Sequence, residues 1–104
     1  MDRKYVIKYV DEAVNDLDSI FSYISNKNIP AALSMLDEIE SRILRLQMNP
    51  RLGVVLPTDN LSIVKSGYRY LVVESYIIFY RIIYETIIIS RVLHSKQDWL
   101  SLIF

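Results

Sequence analysis

The stretch Gly67–Phe104, GYRYLVVESYIIFYRIIYETIIISRVLHSKQDWLSLIF, decides how this chain folds. Three runs of β-branched and aromatic residues follow one another: Tyr68–Val73, Tyr76–Ile83 and Thr86–Leu93. Only Glu74-Ser75 and Tyr84-Glu85 separate them, so the runs read as strands joined by two-residue turns in an antiparallel meander. Neither turn carries the Asn-Gly chemistry that makes such reversals easy. In the simplest register Arg69 faces Tyr80, and Tyr80 faces Ile89. One face then carries Arg69, Leu71, Val73, Tyr76, Ile78, Tyr80, Ile87, Ile89 and Arg91. The other carries Tyr68, Tyr70, Val72, Ile77, Phe79, Arg81, Ile88, Val92 and His94. Both faces are mostly apolar, so each needs cover. From Gln97 onward, Trp99, Leu100, Leu102 and Ile103 suit a short C-terminal helix or arm.

Upstream, the period changes. Tyr5–Tyr9 alternates weakly and reads as a first strand. Asp11 is placed to cap a helix, and Ala13, Val14, Leu17, Ile20, Phe21 and Ile24 recur at helical spacing to about Lys27. Asn26 and Asn28 are expected to end it. Pro30 fits the first turn of a second helix, whose stripe is Ala32, Leu36, Ile39, Ile43 and Leu46. Asn49-Pro50 stops that helix. The short connection makes the two helices an antiparallel hairpin. Arg51–Ser66, with Gly53 and Pro57, reads as a long loop. The expected class is therefore α+β. It comprises an N-terminal strand, a helical hairpin and a three-stranded meander forming an antiparallel sheet, with a short C-terminal helix. At 104 residues it is one domain, spanning 1–104.

Composition narrows the function. There is no cysteine and one histidine, so thiolate catalysis is excluded and a zinc site or other cofactor is not expected. Twelve basic residues balance twelve acidic ones, so no overall basic excess advertises nucleic-acid binding. The hydrophobic fraction of 52% is high for so small a chain, and surplus apolar surface usually marks an interface, with a partner or with a second copy. No run reaches the roughly 18 to 20 apolar residues of a membrane span, and the N-terminus lacks the apolar segment of a signal peptide. The chain reads as cytoplasmic.

Four groups of residues carry a resemblance: Tyr5-Val6-Ile7-Lys8-Tyr9; Ala13, Asp16-Leu17, Ile20 and Tyr23-Ile24; Leu46, Asn49-Pro50 and Gly53; and Gly67-Tyr68-Arg69, Leu71, Tyr76, Phe79-Tyr80-Arg81 and Arg91-Val92-Leu93-His94 with Asp98. In this order and spacing, over nearly the whole chain, they resemble the RelE/ParE superfamily, the toxins of bacterial type II toxin–antitoxin modules. The closing Arg-Val-Leu-His-x-x-x-Asp is most similar to the ParE-like branch, often described as plasmid stabilisation proteins. The resemblance implies a growth-inhibiting toxin neutralised by a cognate antitoxin. RelE-type members cut mRNA on the ribosome, without a metal, using cations and a phenol or histidine on the ribose and phosphate. ParE-type members poison DNA gyrase. Where the nuclease pattern carries arginines, this chain has Ile77 and Gln97 or Lys96, which favours gyrase as the target. The alternatives are a ribosome-dependent mRNA endonuclease and a degenerate member kept only for binding.

The candidate residues follow from this reading. For nuclease chemistry they are Arg69, Arg91 and His94, two guanidiniums for phosphate and an imidazole as general acid or base. For binding a target or antitoxin they are Arg69, Tyr80, Arg81, Arg91, Gln97, Asp98 and Trp99. Each also has a plain structural role open to it. The arginines can pair with acids such as Glu40, His94 can hydrogen-bond locally, Asp98 can cap the terminal helix, and Trp99 can pack in the core.

Overall fold

The computed structural model describes residues 4–56 and 67–103. Its elements are β1 (Val6–Tyr9), α1 (Asp11–Ser25), α2 (Ile29–Leu44), a 3₁₀ turn at Arg45–Gln47, β2 (Val54–Val55), β3 (Tyr68–Val73), β4 (Tyr76–Ile83), β5 (Thr86–His94) and α3 (Trp99–Ile103). The fold is α+β, as the sequence predicts. The sheet is mixed rather than wholly antiparallel. Its order is β1-β5-β4-β3-β2, and β1 lies parallel to β5, with Val6 opposite Thr86 and Tyr9 opposite Ile89. The helical hairpin and three strands lie between β1 and β5 in the chain, so no tight turn forces the two to run antiparallel.

Asp11 is not the cap of α1. Val10 occupies that position in an extended conformation without a side-chain bond, and Asp11 and Glu12 fill the first turn, where the macrodipole favours anions. Asn28, expected to help end α1, caps α2 instead: its Oδ1 accepts the Ala31 N–H at 3.0 Å. Pro30 sits in the first turn of α2, where its missing N–H is not needed. The loop read over Arg51–Ser66 contains the short edge strand β2, paired antiparallel with Tyr70 and Arg69. Pro57 and the rest of that loop to Ser66 lie outside the described residues.

The core lies between the helices and one sheet face. Ile20, Ile39, Ile43 and Leu46 meet Val73, Ile78, Tyr80, Ile87, Ile89 and Val92. Burying a branched or aromatic side chain of this size contributes about 1.5–3 kcal/mol, so this layer is the main source of stability. A smaller cluster of Leu56, Phe79 and Leu93 lies on the opposite face, with Trp99 packed against it. The two faces therefore are both covered, one by the hairpin and the other in part by α3.

Both tight turns of the meander occur as read. Glu74 and Tyr84 take the left-handed conformation there, with φ of 54° and 55°. The pairings Arg69–Tyr80 and Tyr80–Ile89 also occur as read. Beyond them the simple register fails. Phe79 pairs with Arg91, so Ser90 is an extra residue in β5. This bulge turns Val92 to the helix face, with Ile78, and Leu93 to the outer face, with Phe79.

Candidate functional site

Arg69 and Tyr80 form one constellation. Tyr80 is fully buried, and its hydroxyl donates to the Pro50 carbonyl and accepts the Gly53 N–H, each at 2.8 Å. Arg69 Nη1 donates to the Gly53 carbonyl at 2.7 Å and to the Arg51 carbonyl at 3.4 Å. The cross-strand pair thus grips the turn after α2 by its backbone. A Cβ at Gly53 would lie 2.5 Å from Tyr80 Oη and 2.8 Å from the Tyr70 carbonyl, so the close approach requires glycine. Burial raises the Tyr80 phenol above its ordinary pKa, while the Gly53 N–H and the Arg69 charge pull it back in part. The partners of Arg69 are carbonyls, not Glu40; that carboxylate instead helps burial to raise the phenol of Tyr9.

Arg91 is elsewhere. Its register partner is Phe79, and it does not share the Arg69–Tyr80–Ile89 row, because the bulge at Ser90 intervenes. Its Nε and Nη2 bind the two oxygens of Asp16 on α1, at 2.7 and 2.8 Å. Asp16 also accepts the Val92 N–H at 2.9 Å. Both side chains are largely buried, at 18% and 12% exposure, and this hydrogen-bonded pairing raises the Arg91 pKa. Glu12 lies 3.7 Å from Nη1 but is mostly exposed, where such a contact contributes little.

His94 stands opposite Tyr76, whose ring it meets edge-on at 5.4 Å. Its Nδ1 accepts the Lys96 N–H at 3.1 Å, which places the ring proton of the neutral form on Nε2. Gln97 brackets it: Gln97 Oε1 accepts the His94 N–H, and the Gln97 N–H donates to the His94 carbonyl. These residues border an open groove of about 690 Å³ between α1 and the ends of β4 and β5. Its lining is mainly apolar, from Ile20, Ile24, Met35, Tyr76 and Val92.

The Asp98 carbonyl, just ahead of α3, accepts the Ser101 hydroxyl at 3.0 Å. Trp99 packs on Phe79 with ring centroids 5.3 Å apart. With Leu56, Tyr70 and Ile77 they line a second, nearly apolar pocket of about 200 Å³ on the outer face. Arg81 belongs to that face, with its guanidinium 5.6 Å from the Tyr68 ring centroid. Its Nε is buried and takes no hydrogen bond among the described residues.

The candidate residues therefore fall into separate places. Arg69 joins Tyr80, Arg91 joins Asp16, His94 joins Gln97, and Arg81 and Trp99 lie on the outer face. Asp16 and Gly53 hold these places together without having been singled out for it. Asp16 enters the sequence reading only among the residues that carry the family resemblance. Gly53 is one of two glycines in the chain, and its signals are that scarcity and its place after Asn49-Pro50 in the resemblance. Among the described residues no cluster of histidine and carboxylate side chains could hold a metal. No described helix is long and apolar enough to cross a membrane.

The fold is that of a small toxin of the type II toxin–antitoxin class. The family model for the ParE toxin of the type II toxin–antitoxin system parDE matches residues 7–99, and the chain belongs to that family. A solved structure of the chromosomal ParDE toxin–antitoxin system from P. aeruginosa is similar, with a TM-score of 0.71 and 23% identity over 89% of this chain and 98% of that one. The toxin–antitoxin complex RelBE2 from Mycobacterium tuberculosis superposes with a TM-score of 0.60, also at 23% identity, over 90% of this chain and 94% of that one. No curated protein matches by sequence.

Proposed function

We propose that this toxin arrests growth by a non-catalytic contact with DNA gyrase and is neutralised by a cognate antitoxin. The observation that carries this reading is the engagement of its polar groups. Arg69 and Tyr80, the cation and phenol that a ribonuclease would turn on ribose and phosphate, are committed to the backbone of Pro50, Arg51 and Gly53. Arg91 is committed to Asp16. A guanidinium already in a bidentate ion pair has to give up that partner before it can bind phosphate, and separating a largely buried pair is costly. What the chain offers instead is surface: the groove beside His94 and the outer face with Arg81 and Trp99. The groove suits an apolar antitoxin segment, in keeping with the toxin–antitoxin assemblies named for the similar structures. The outer face and α3 then serve the target.

Expression of the chain alone and beside its antitoxin tests both halves. The expected result is growth arrest relieved by the antitoxin, with impaired DNA supercoiling and intact translated mRNA. Primer extension that shows cuts in translated mRNA would establish the endonuclease reading instead, and unhindered growth would establish a binding protein without toxicity.

A further inference from the structure

We infer that the Asp16–Arg91 pair is a strut that positions the C-terminal helix. β1 pairs with β5 only as far as Ile89, and the bulge at Ser90 follows at once. Past that point the N–H of Val92 is met by a side chain, the carboxylate of Asp16. The same carboxylate holds Arg91 through Nε and Nη2. The remaining nitrogen, Nη1, donates to the Leu102 carbonyl at 3.1 Å, in the last turn of α3. Carbonyls in that turn have no partner within the helix, and a cation there also suits the helix dipole. One chain of bonds thus runs from α1, through β5, to α3. α3 is also tied to the sheet by Trp99, which packs on Phe79 and its cluster.

The chemistry of the pair favours a positioning role. A buried ion pair adds little net stability over an apolar pair of the same size, because desolvation offsets the attraction. What a bidentate guanidinium fixes is direction. With Nε and Nη2 locked on Asp16, Nη1 points along the remaining edge of the fork, where the Leu102 carbonyl is nearer than the exposed Glu12 carboxylate. Asp16 therefore acts through Arg91 on a helix more than eighty positions away in sequence.

Trp99 is the sole tryptophan, so its fluorescence reports on α3 directly. Asp16→Asn keeps an oxygen for the Val92 N–H and removes the charge that orients Arg91. It is expected to shift the docking equilibrium of α3 by about tenfold, the size of one lost charge-assisted hydrogen bond. Acrylamide quenching of Trp99 then rises toward that of a free peptide of residues 95–104, and Asp16→Glu restores it in part. Wild-type quenching in the folded D16N chain would overturn the proposal. Should D16N fail to fold, Arg91→Lys is decisive, since an ammonium lacks the planar fork that spans Asp16 and Leu102 together. Wild-type quenching in folded R91K would likewise overturn it. The gyrase role of α3 rests on the proposed function and is read separately. Raised quenching with undiminished gyrase inhibition keeps the strut and removes α3 from the target contact.

Discussion

Arg69 and Tyr80 face each other across β3 and β4, and both bind the backbone of Gly53, one at its carbonyl and the other at its N–H. Two side chains suited to phosphate chemistry thereby become the clasp that closes the turn after α2 onto the sheet. Their other bonds, to Arg51 and Pro50, extend the clasp along the same turn.

Gly53→Ala is expected to destabilise the fold by about 2 kcal/mol, since its Cβ would overlap a buried ring and a carbonyl. Tyr80→Phe removes the hydroxyl and leaves the Gly53 N–H and Pro50 carbonyl without that partner, a cost of about 1–3 kcal/mol. Urea unfolding measures both. Combining them should cost less than the sum, because the two residues share one contact.

Tyr84 holds a left-handed backbone at φ 55° while its side chain is 94% exposed. A side chain in that region is strained, and this one packs on almost nothing. Tyr84→Gly should raise stability by about 0.5 kcal/mol, the strain relieved less the added freedom of the unfolded chain. Thermal unfolding would show an increase of about 2–4 °C.

Alkaline pH should unfold the protein through its tyrosines. Burial raises the phenol pKa of Tyr80, Tyr76 and Tyr9 in the fold. The unfolded chain then releases these protons first, near pH 10, so stability is full below that value and declines as pH rises through the higher folded values. Tyr80→Phe should flatten this decline when stability is followed between about pH 9 and 11. An unchanged slope would show that Tyr80 takes no part in it.

His94→Ala should leave growth inhibition within about twofold of wild type, because a binding toxin needs no proton carrier, whereas loss of a general acid or base typically costs a hundredfold or more. Growth curves at matched expression distinguish these outcomes.

The order of elements was legible because the hydrophobic period changes from that of a strand to that of a helix and back. The pairing Arg69–Tyr80–Ile89 was legible because two short turns leave little freedom of register. The fate of Arg91 was not. One extra residue at Ser90 moves everything after it, and nothing in Ser90-Arg91-Val92 announces a bulge. Asn28 was legible as a boundary but not as to which helix it served, since asparagine suits both the end of one helix and the start of the next. Gly53 became meaningful only once Tyr80, twenty-seven positions later, was brought beside it. The separation of the candidate cations likewise depends on long-range contacts, above all Asp16 with Arg91.

The proposed target is DNA gyrase, which this toxin is expected to inhibit by binding and not by cleaving RNA. Purified chain, DNA gyrase, ATP and relaxed plasmid measure it most directly on a gel. Supercoiled product is expected to fall with increasing toxin, equally for wild type and His94→Ala, and to recover when the antitoxin is added. Full supercoiling at a large excess of folded toxin would contradict the account.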